Sequence, residues 1–117
     1  MTRAVLIPAD LIERLQENGR ASSRHGDGDY PPIVKLFTPD GRATWLLTEP
    51  DPQDPDLAFG LCDLGQGYPE LGYVRLSEIL EITGSLGLFV ERDVAFRTEK
   101  PISHFAVLAS AAGRILT

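Results

Sequence analysis

Ile33-Val34-Lys35-Leu36-Phe37, Thr38-Pro39-Asp40-Gly41 and Arg42-Ala43-Thr44-Trp45-Leu46-Leu47-Thr48-Glu49 follow one another in this chain, and their reading decides the fold. Two runs rich in β-branched, aromatic and aliphatic residues flank a turn with explicit chemistry. Pro39 presets φ at the first central position, Asp40 suits the second, and Gly41 can supply a positive φ. The stretch therefore reads as a β-hairpin closed by a type I turn with a G1 bulge. In that register Thr38 faces Arg42, Leu36 faces Thr44 and Lys35 faces Trp45. Val34, Leu36 and Leu46 then share one face, and Ile33, Phe37, Ala43, Trp45 and Leu47 the other. Both faces are largely apolar, so the ribbon is expected inside a sheet with cover on each side.

Beyond the hairpin, Pro50-Asp51-Pro52-Gln53-Asp54-Pro55-Asp56 carries three prolines and three acids. That composition reads as a solvated, polyproline-like connector. Residues 57–64 return to strand character, with Phe59, Leu61 and Asp63 on one side and Gly60, Cys62 and Leu64 on the other. A Gly-rich turn over 65–69 leads into a strand over 70–76, antiparallel to the previous one because the link is short. Ser77 is placed to cap a short helix over 77–83, with Ile79 and Leu80 inward and Gly84 at its end. Residues 87–97 hold the last strand, where Val90, Arg92, Val94 and Phe96 alternate with Glu91, Asp93, Ala95 and Arg97. Pro101 opens a terminal helix over 101–113, with Ile102, Phe105, Ala109 and Ala112 inward and Gly113 as its stop.

Upstream, residues 8–18 read as a helix with Leu11, Ile12 and Leu15 on one stripe and Gly19 at C′. Residues 20–30 read as a polar, mobile loop. Pro31-Pro32 then forces an extended lead-in to the hairpin. The expected class is α+β: one domain over 1–117, with a mostly antiparallel sheet of about five strands across 33–97 and helices packed on it.

The chain has 117 residues, 43% of them hydrophobic, which suits a single globular domain. Its formal charge of −6 repels phosphate backbones, and Lys and Arg form no run, so direct nucleic-acid binding is not expected. Ala4-Val5-Leu6-Ile7 is too short for a membrane span or a signal core, which argues against a membrane and for the cytoplasm. Cys62 is the only cysteine and there are two histidines, so neither an internal disulfide nor a zinc site is expected. Phosphate-binding glycine loops and metalloprotease motifs are absent from the sequence, and no cofactor is predicted.

Four groups of residues carry chemistry. Glu91 and Asp93 lie two apart on a strand and so project from one face, where two carboxylates can hold a cation or divide acid and base roles. Asp63 and Glu70 flank the 65–69 turn; if they met Glu91 and Asp93, an acidic metal pocket would form. The bland readings are a solvated strand face for the first pair and turn chemistry for the second. Cys62 with His104 resembles a nucleophile pair in composition only, since Cys62 has apolar neighbours and no basic group beside it. His25-Gly26-Asp27-Gly28-Asp29 has hard ligands without the length of a calcium loop.

Glu49, Asp51, Asp54 and Asp56 form the most unusual local composition and could dock a basic partner, or simply solvate a loop. Trp45, Tyr73 and Tyr68 could make an aromatic binding surface, although strand aromatics more often serve the core.

Taken together, Pro32-Ile33-Val34-Lys35-Leu36-Phe37 with Thr44-Trp45, Phe59-Gly60-Leu61-Cys62-Asp63-Leu64-Gly65 running into Pro69-Glu70-Leu71-Gly72-Tyr73, Leu76-Ser77-Glu78, and Leu86-Gly87-Leu88 with Glu91-Arg92-Asp93 and Phe96 resemble the bacterial family DUF2958. The resemblance spans residues 30–104. It implies an origin among plasmid and integrative-element genes and brings no catalytic residues with it.

Two functions are weighed. The first is a non-enzymatic binding or accessory protein that acts on a protein partner, such as a host defence or nucleic-acid-handling protein, through Glu49, Asp51, Asp54, Asp56, Trp45 and Tyr73. The second is a small metal-dependent hydrolase or nuclease using Asp63, Glu70, Glu91 and Asp93, which requires those carboxylates to converge. The residue pattern favours the first. A homo-oligomer joined through sheet edges fits either.

Overall fold

A computed structural model describes residues 6–26 and 28–117. Ala4 and Val5 of the apolar N-terminal stretch, and Asp27 of the His25–Asp29 run, lie outside them. In chain order the elements are α1 (Ala9–His25), β1 (Val34–Phe37), β2 (Thr44–Asp51), β3 (Asp54–Asp63), β4 (Glu70–Arg75), α2 (Leu76–Ile79), β5 (Glu91–Arg92) and α3 (Ile102–Ala112). The strands form one sheet in the order β4-β3-β2-β1-β5, with antiparallel neighbours throughout. The expected α+β class, with helices on an antiparallel sheet, is what the chain adopts.

The hairpin forms, but one residue out of the predicted register. Leu36 lies opposite Trp45, Lys35 opposite Leu46 and Phe37 opposite Thr44. Thr38 N donates to Ala43 O at 3.0 Å, and Ala43 N donates to Thr38 Oγ1 at 2.9 Å. The loop therefore runs from Pro39 through Arg42, and Gly41 keeps a negative φ rather than forming a G1 bulge. A one-residue slip exchanges faces. Val34, Leu36, Trp45 and Leu47 all pack into one core with Leu15, Ala58, Ile79 and Val90. Leu46 and Leu61 point the other way, onto Ile102, Phe105 and Ala109 of α3. Burial of Trp45 beside Leu36 selects this register over the shorter turn. The sheet is thus covered on both faces, by α1 and α2 on one side and α3 on the other.

Helix α1 does not stop at Gly19 but continues to His25, so the first part of the expected 20–30 loop is helical. Gly19 is buried inside the helix because β2 passes against it: a Cβ there would sit 3.0 Å from Pro50 O. Asn18 Nδ2 donates to Thr48 O at 2.9 Å and fixes the same crossing. The helix ends instead at Gly26, whose φ of 81° few other residues adopt.

The expected polyproline connector is also strand. Pro50 belongs to β2 and Pro55 to β3, with Asp51 opposite Asp54 across a tight turn. Pro50 is tolerated because β1 pairs with β2 only as far as Leu47, leaving β3 alone alongside. The long final strand shrinks to Glu91–Arg92. Asp93 turns the chain by accepting from Ala95 N through Oδ1 at 3.0 Å, and Phe96 N bonds back to Asp93 O at 3.2 Å. Helix α2 is shorter than 77–83. It has no side-chain cap of its own: Ser77 N and Oγ both donate to Asp56 of β3, at 3.0 and 2.7 Å. Ile79 is buried, whereas Leu80 is exposed, and so is Ala112 at the end of α3.

Candidate functional site

The sheet order decides the carboxylate question. Glu70 lies on β4 and Glu91 on β5, the two opposite edges. Four strand spacings of roughly 4.8 Å separate those strands by about 19 Å. Asp63, at the end of β3, is 3% exposed, and its two oxygens accept from Gly65 N at 2.8 Å and Ile115 N at 3.0 Å. Asp93 lies 3.7 Å from Lys35 Nζ across the β1–β5 pair. The structure does not bring these four carboxylates together, and no group of three His, Cys, Asp or Glu among the described residues could hold a metal ion. The converging acidic pocket is corrected by topology: the two pairs belong to opposite ends of the strand order.

Cys62 sits on β3 opposite both Trp45 and Glu70. Burial, with a smaller contribution from the Glu70 charge, pushes its thiol up to about 11. That suppresses the thiolate a nucleophile needs. His104 packs edge-on against the neighbouring Phe105 ring, 5.2 Å between centroids. Asp29, from the supposed calcium-like run, caps α3 instead: it accepts from Ser103 N at 3.0 Å and from Ser103 Oγ.

The acidic run is similarly redistributed. Asp54 accepts from Arg75 Nη1 at 2.9 Å, and Asp56 lies 3.7 Å from the same nitrogen. The Ser77 hydrogen bonds, more than the Arg75 charge, hold the Asp56 carboxyl below its usual range. Asp51 accepts from Gln53 N at 2.8 Å inside the turn. Trp45, placed in a binding surface by its residue type, is 1% exposed and belongs to the core. Its correction follows from the register, which turns it toward Leu36.

Glu49 and Tyr73 do come together. In the register of the sheet Glu49 lies opposite Phe59, and Phe59 opposite Tyr73, so the three form one row across β2, β3 and β4. The Phe59 and Tyr73 rings meet edge to face with centroids 5.2 Å apart. Between this row and the start of α3 lies a cleft of about 330 Å³, lined by Glu49, Phe59, Leu71, Tyr73, Ile102 and Ser103. Glu49 is only 8% exposed, while Leu71 and Tyr73 are 47% and 54% exposed. Helix α3 packs on Leu46 of β2 and Leu61 of β3 and leaves Leu71 and Tyr73 of β4 exposed. Phe59 and Leu71 were not among the residues singled out from the sequence. The alternation of Leu71 with Tyr73 was readable there, but not that β4 would end the sheet or that Phe59 would lie opposite Tyr73.

A larger groove of about 570 Å³ lies over the β1–β5 side, beside Lys35, Phe37, Arg42 and Thr44. Lys35 is engaged there, with Nζ donating to Thr117 Oγ1 at 2.7 Å as well as facing Asp93. No described helix is long and apolar enough to cross a membrane.

A family model described as a protein of unknown function, DUF2958, matches residues 6–116. The chain belongs to that family. The match covers nearly the whole DUF2958 chain, including both strands of the Phe59–Tyr73 pair and the α3 segment that bounds the cleft. No curated protein and no solved structure matches it.

Proposed function

We propose that this DUF2958 chain is a non-enzymatic binding protein that captures an extended segment of a protein partner along β4. One contrast carries the reading. The two edges of the sheet are built differently. Strand β5 is two residues long, Glu91 and Arg92, and both are charged. That is how natural edges avoid pairing. Strand β4 is six residues long, and its middle, Leu71-Gly72-Tyr73-Val74, has no charge and no proline. No further strand pairs with β4 among the described residues. Such an edge is suited to strand addition, in which main-chain hydrogen bonds supply affinity and side-chain pockets supply selectivity. The open ribbon of Leu71 and Tyr73, with the cleft behind it, is a pocket of that kind.

In the mobile-element setting that the resemblance implies, the partner would be a host defence or nucleic-acid-handling protein. Site-specific photocrosslinking tests the docking edge. A crosslinking residue at Tyr73, in the chain expressed in a bacterial host, is expected to give discrete protein adducts that Gly72→Pro abolishes. The same residue at Gln53 is expected to give none. Absence of adducts at Tyr73, or equal adducts at both positions, would reject β4 as the docking edge.

A further inference from the structure

The geometry points to a second copy of this chain as the occupant of the groove over the β1–β5 side, with the 83–89 loop of each copy seated in the groove of the other. The loop is built as a fixed knob. Thr83 bridges Phe89, Gly84 N donates to Leu88 O at 3.0 Å, Gly87 N donates to Gly84 O at 3.0 Å, and Gly87 takes a φ of 80°. The tip of the β1–β2 hairpin then grips it. Asp40 Oδ2 accepts from Leu86 N at 2.6 Å and Leu88 N at 3.3 Å, and Ser85 Oγ donates to Asp40 O at 3.2 Å. A Cβ on Gly84 would collide with the Asp40 carboxylate, so the two turns lie in direct contact. Leu86 is nonetheless 80% exposed and Leu88 49%. Apolar side chains displayed in this way mark contact surfaces, and an ordered backbone beneath them lowers the entropy lost on docking.

The groove offers the complementary chemistry. Phe37 and Val94 supply apolar lining, and Lys35, Arg42 and Arg92 line it against one acid, Asp93, with Glu91 placed opposite Phe37 at its side. The flank of the knob is acidic. Glu78 and Glu81 are exposed, and no lysine or arginine occurs from Leu76 to Val90. Arg42 and Glu81 form no ion pair with another described residue. Two copies of a chain of charge −6 repel at long range, so a contact between them must set opposite patches together. Knob and groove also stand side by side: Asp40 holds the loop, and the next two residues, Gly41 and Arg42, line the groove. Neighbouring complementary patches allow a two-fold axis beside the hairpin tip, across which each copy gives its knob and receives the other's. This contact uses no strand pairing at β5. It leaves β4, the opposite edge of the sheet, open, and stands independently of the reading of β4.

Sedimentation equilibrium of the full chain over about 1 μM to 1 mM tests the contact. A reversible dimer at twice the 12.8 kDa chain mass is expected, with no larger species. Leu86→Ser, at an exposed position, should leave the melting temperature in place and raise the dimer dissociation constant about tenfold or more. Glu81→Arg and Arg42→Glu should each weaken self-association about tenfold or more by setting like charges together. Mixed in equal amounts, those two variants should dimerise again, because both contacts of the mixed dimer regain opposite charges. A monomer at every concentration overturns the inference, as do assemblies larger than a dimer. So does a dimer that Leu86→Ser weakens by less than about twofold, or a mixture of the two charge variants that stays monomeric. A dimer that Gly72→Pro dissolves and Leu86→Ser does not would be joined through β4, which also overturns it.

Discussion

Ile115 N donates a 3.0 Å hydrogen bond to Asp63 Oδ2, joining the segment after α3 to the end of β3 across 52 residues. The other oxygen accepts from Gly65 N. A residue type that suggests metal or acid–base chemistry is here a clamp for two stretches of backbone. Asp63→Ala leaves two amide donors without their acceptor. The expected cost is about 2–6 kcal/mol, at 1–3 kcal/mol for each of the two stranded groups, read by urea denaturation. A loss below about 0.5 kcal/mol, the scatter of ordinary surface substitutions, would mean that the clamp is incidental.

Two glycines on paired strands should behave in opposite ways. A Cβ on Gly60 would lie 1.9 Å from Leu46 O, within the most buried part of the sheet, whereas one on Gly72 would meet nothing within 4 Å. Gly60→Ala should fold poorly or lose several kcal/mol, of order 3 or more, because the β2–β3 pair must separate. Gly72→Ala should stay within about 0.5 kcal/mol of the parent. Thermal melts followed by circular dichroism distinguish them, and equal melting points would contradict the close approach of β2 and β3.

Trp45 is the only tryptophan, and it is buried at the centre of the larger core. Its emission should be that of an apolar site in the folded chain and shift to longer wavelength on unfolding. Trp45→Ala should cost about 3–5 kcal/mol through the cavity it leaves. A native spectrum resembling free tryptophan in water would contradict the observed hairpin register.

Cys62 should behave as an inert thiol. Its pKa is raised to about 11, so the folded protein holds the neutral form through pH 8, where an ordinary thiol is already partly ionised. Reaction with a disulfide reagent at pH 8 should be slow in the native chain. It should quicken either in denaturant or as pH approaches 11. Rapid native reaction at neutral pH would show a thiolate that this site does not favour.

Much of the fold was legible because the sequence states it locally. The apolar runs on either side of Pro39-Asp40-Gly41, the stripe of Leu11, Ile12 and Leu15, and the Pro101 and Gly113 ends of α3 all specify elements without outside help. The errors share one cause, which is that a distant partner overrode local chemistry. Gly19 reads as a helix stop until Pro50 is known to press on it. Pro50 and Pro55 read as a connector until β1 is known to end at Leu47. Asp54 and Asp56 read as a docking run until Arg75 and Ser77 are placed beside them. Within the candidate site, Glu49 and Tyr73 were visible as residue types. Their alignment through Phe59 was not, because it depends on a register shift between Leu47 and Glu49 that local sequence does not declare.

Backbone hydrogen exchange of the intact chain, alone and with an excess of a β-forming heptapeptide, acetylated and amidated Val-Thr-Val-Arg-Val-Thr-Val, tests the central claim most directly. Strand addition predicts that the peptide slows exchange along Glu70–Arg75 and leaves Glu91–Arg92 at the far edge unchanged. Protection confined to the exposed apolar residues of the 80–89 segment, or none at all along β4, would contradict a docking edge there.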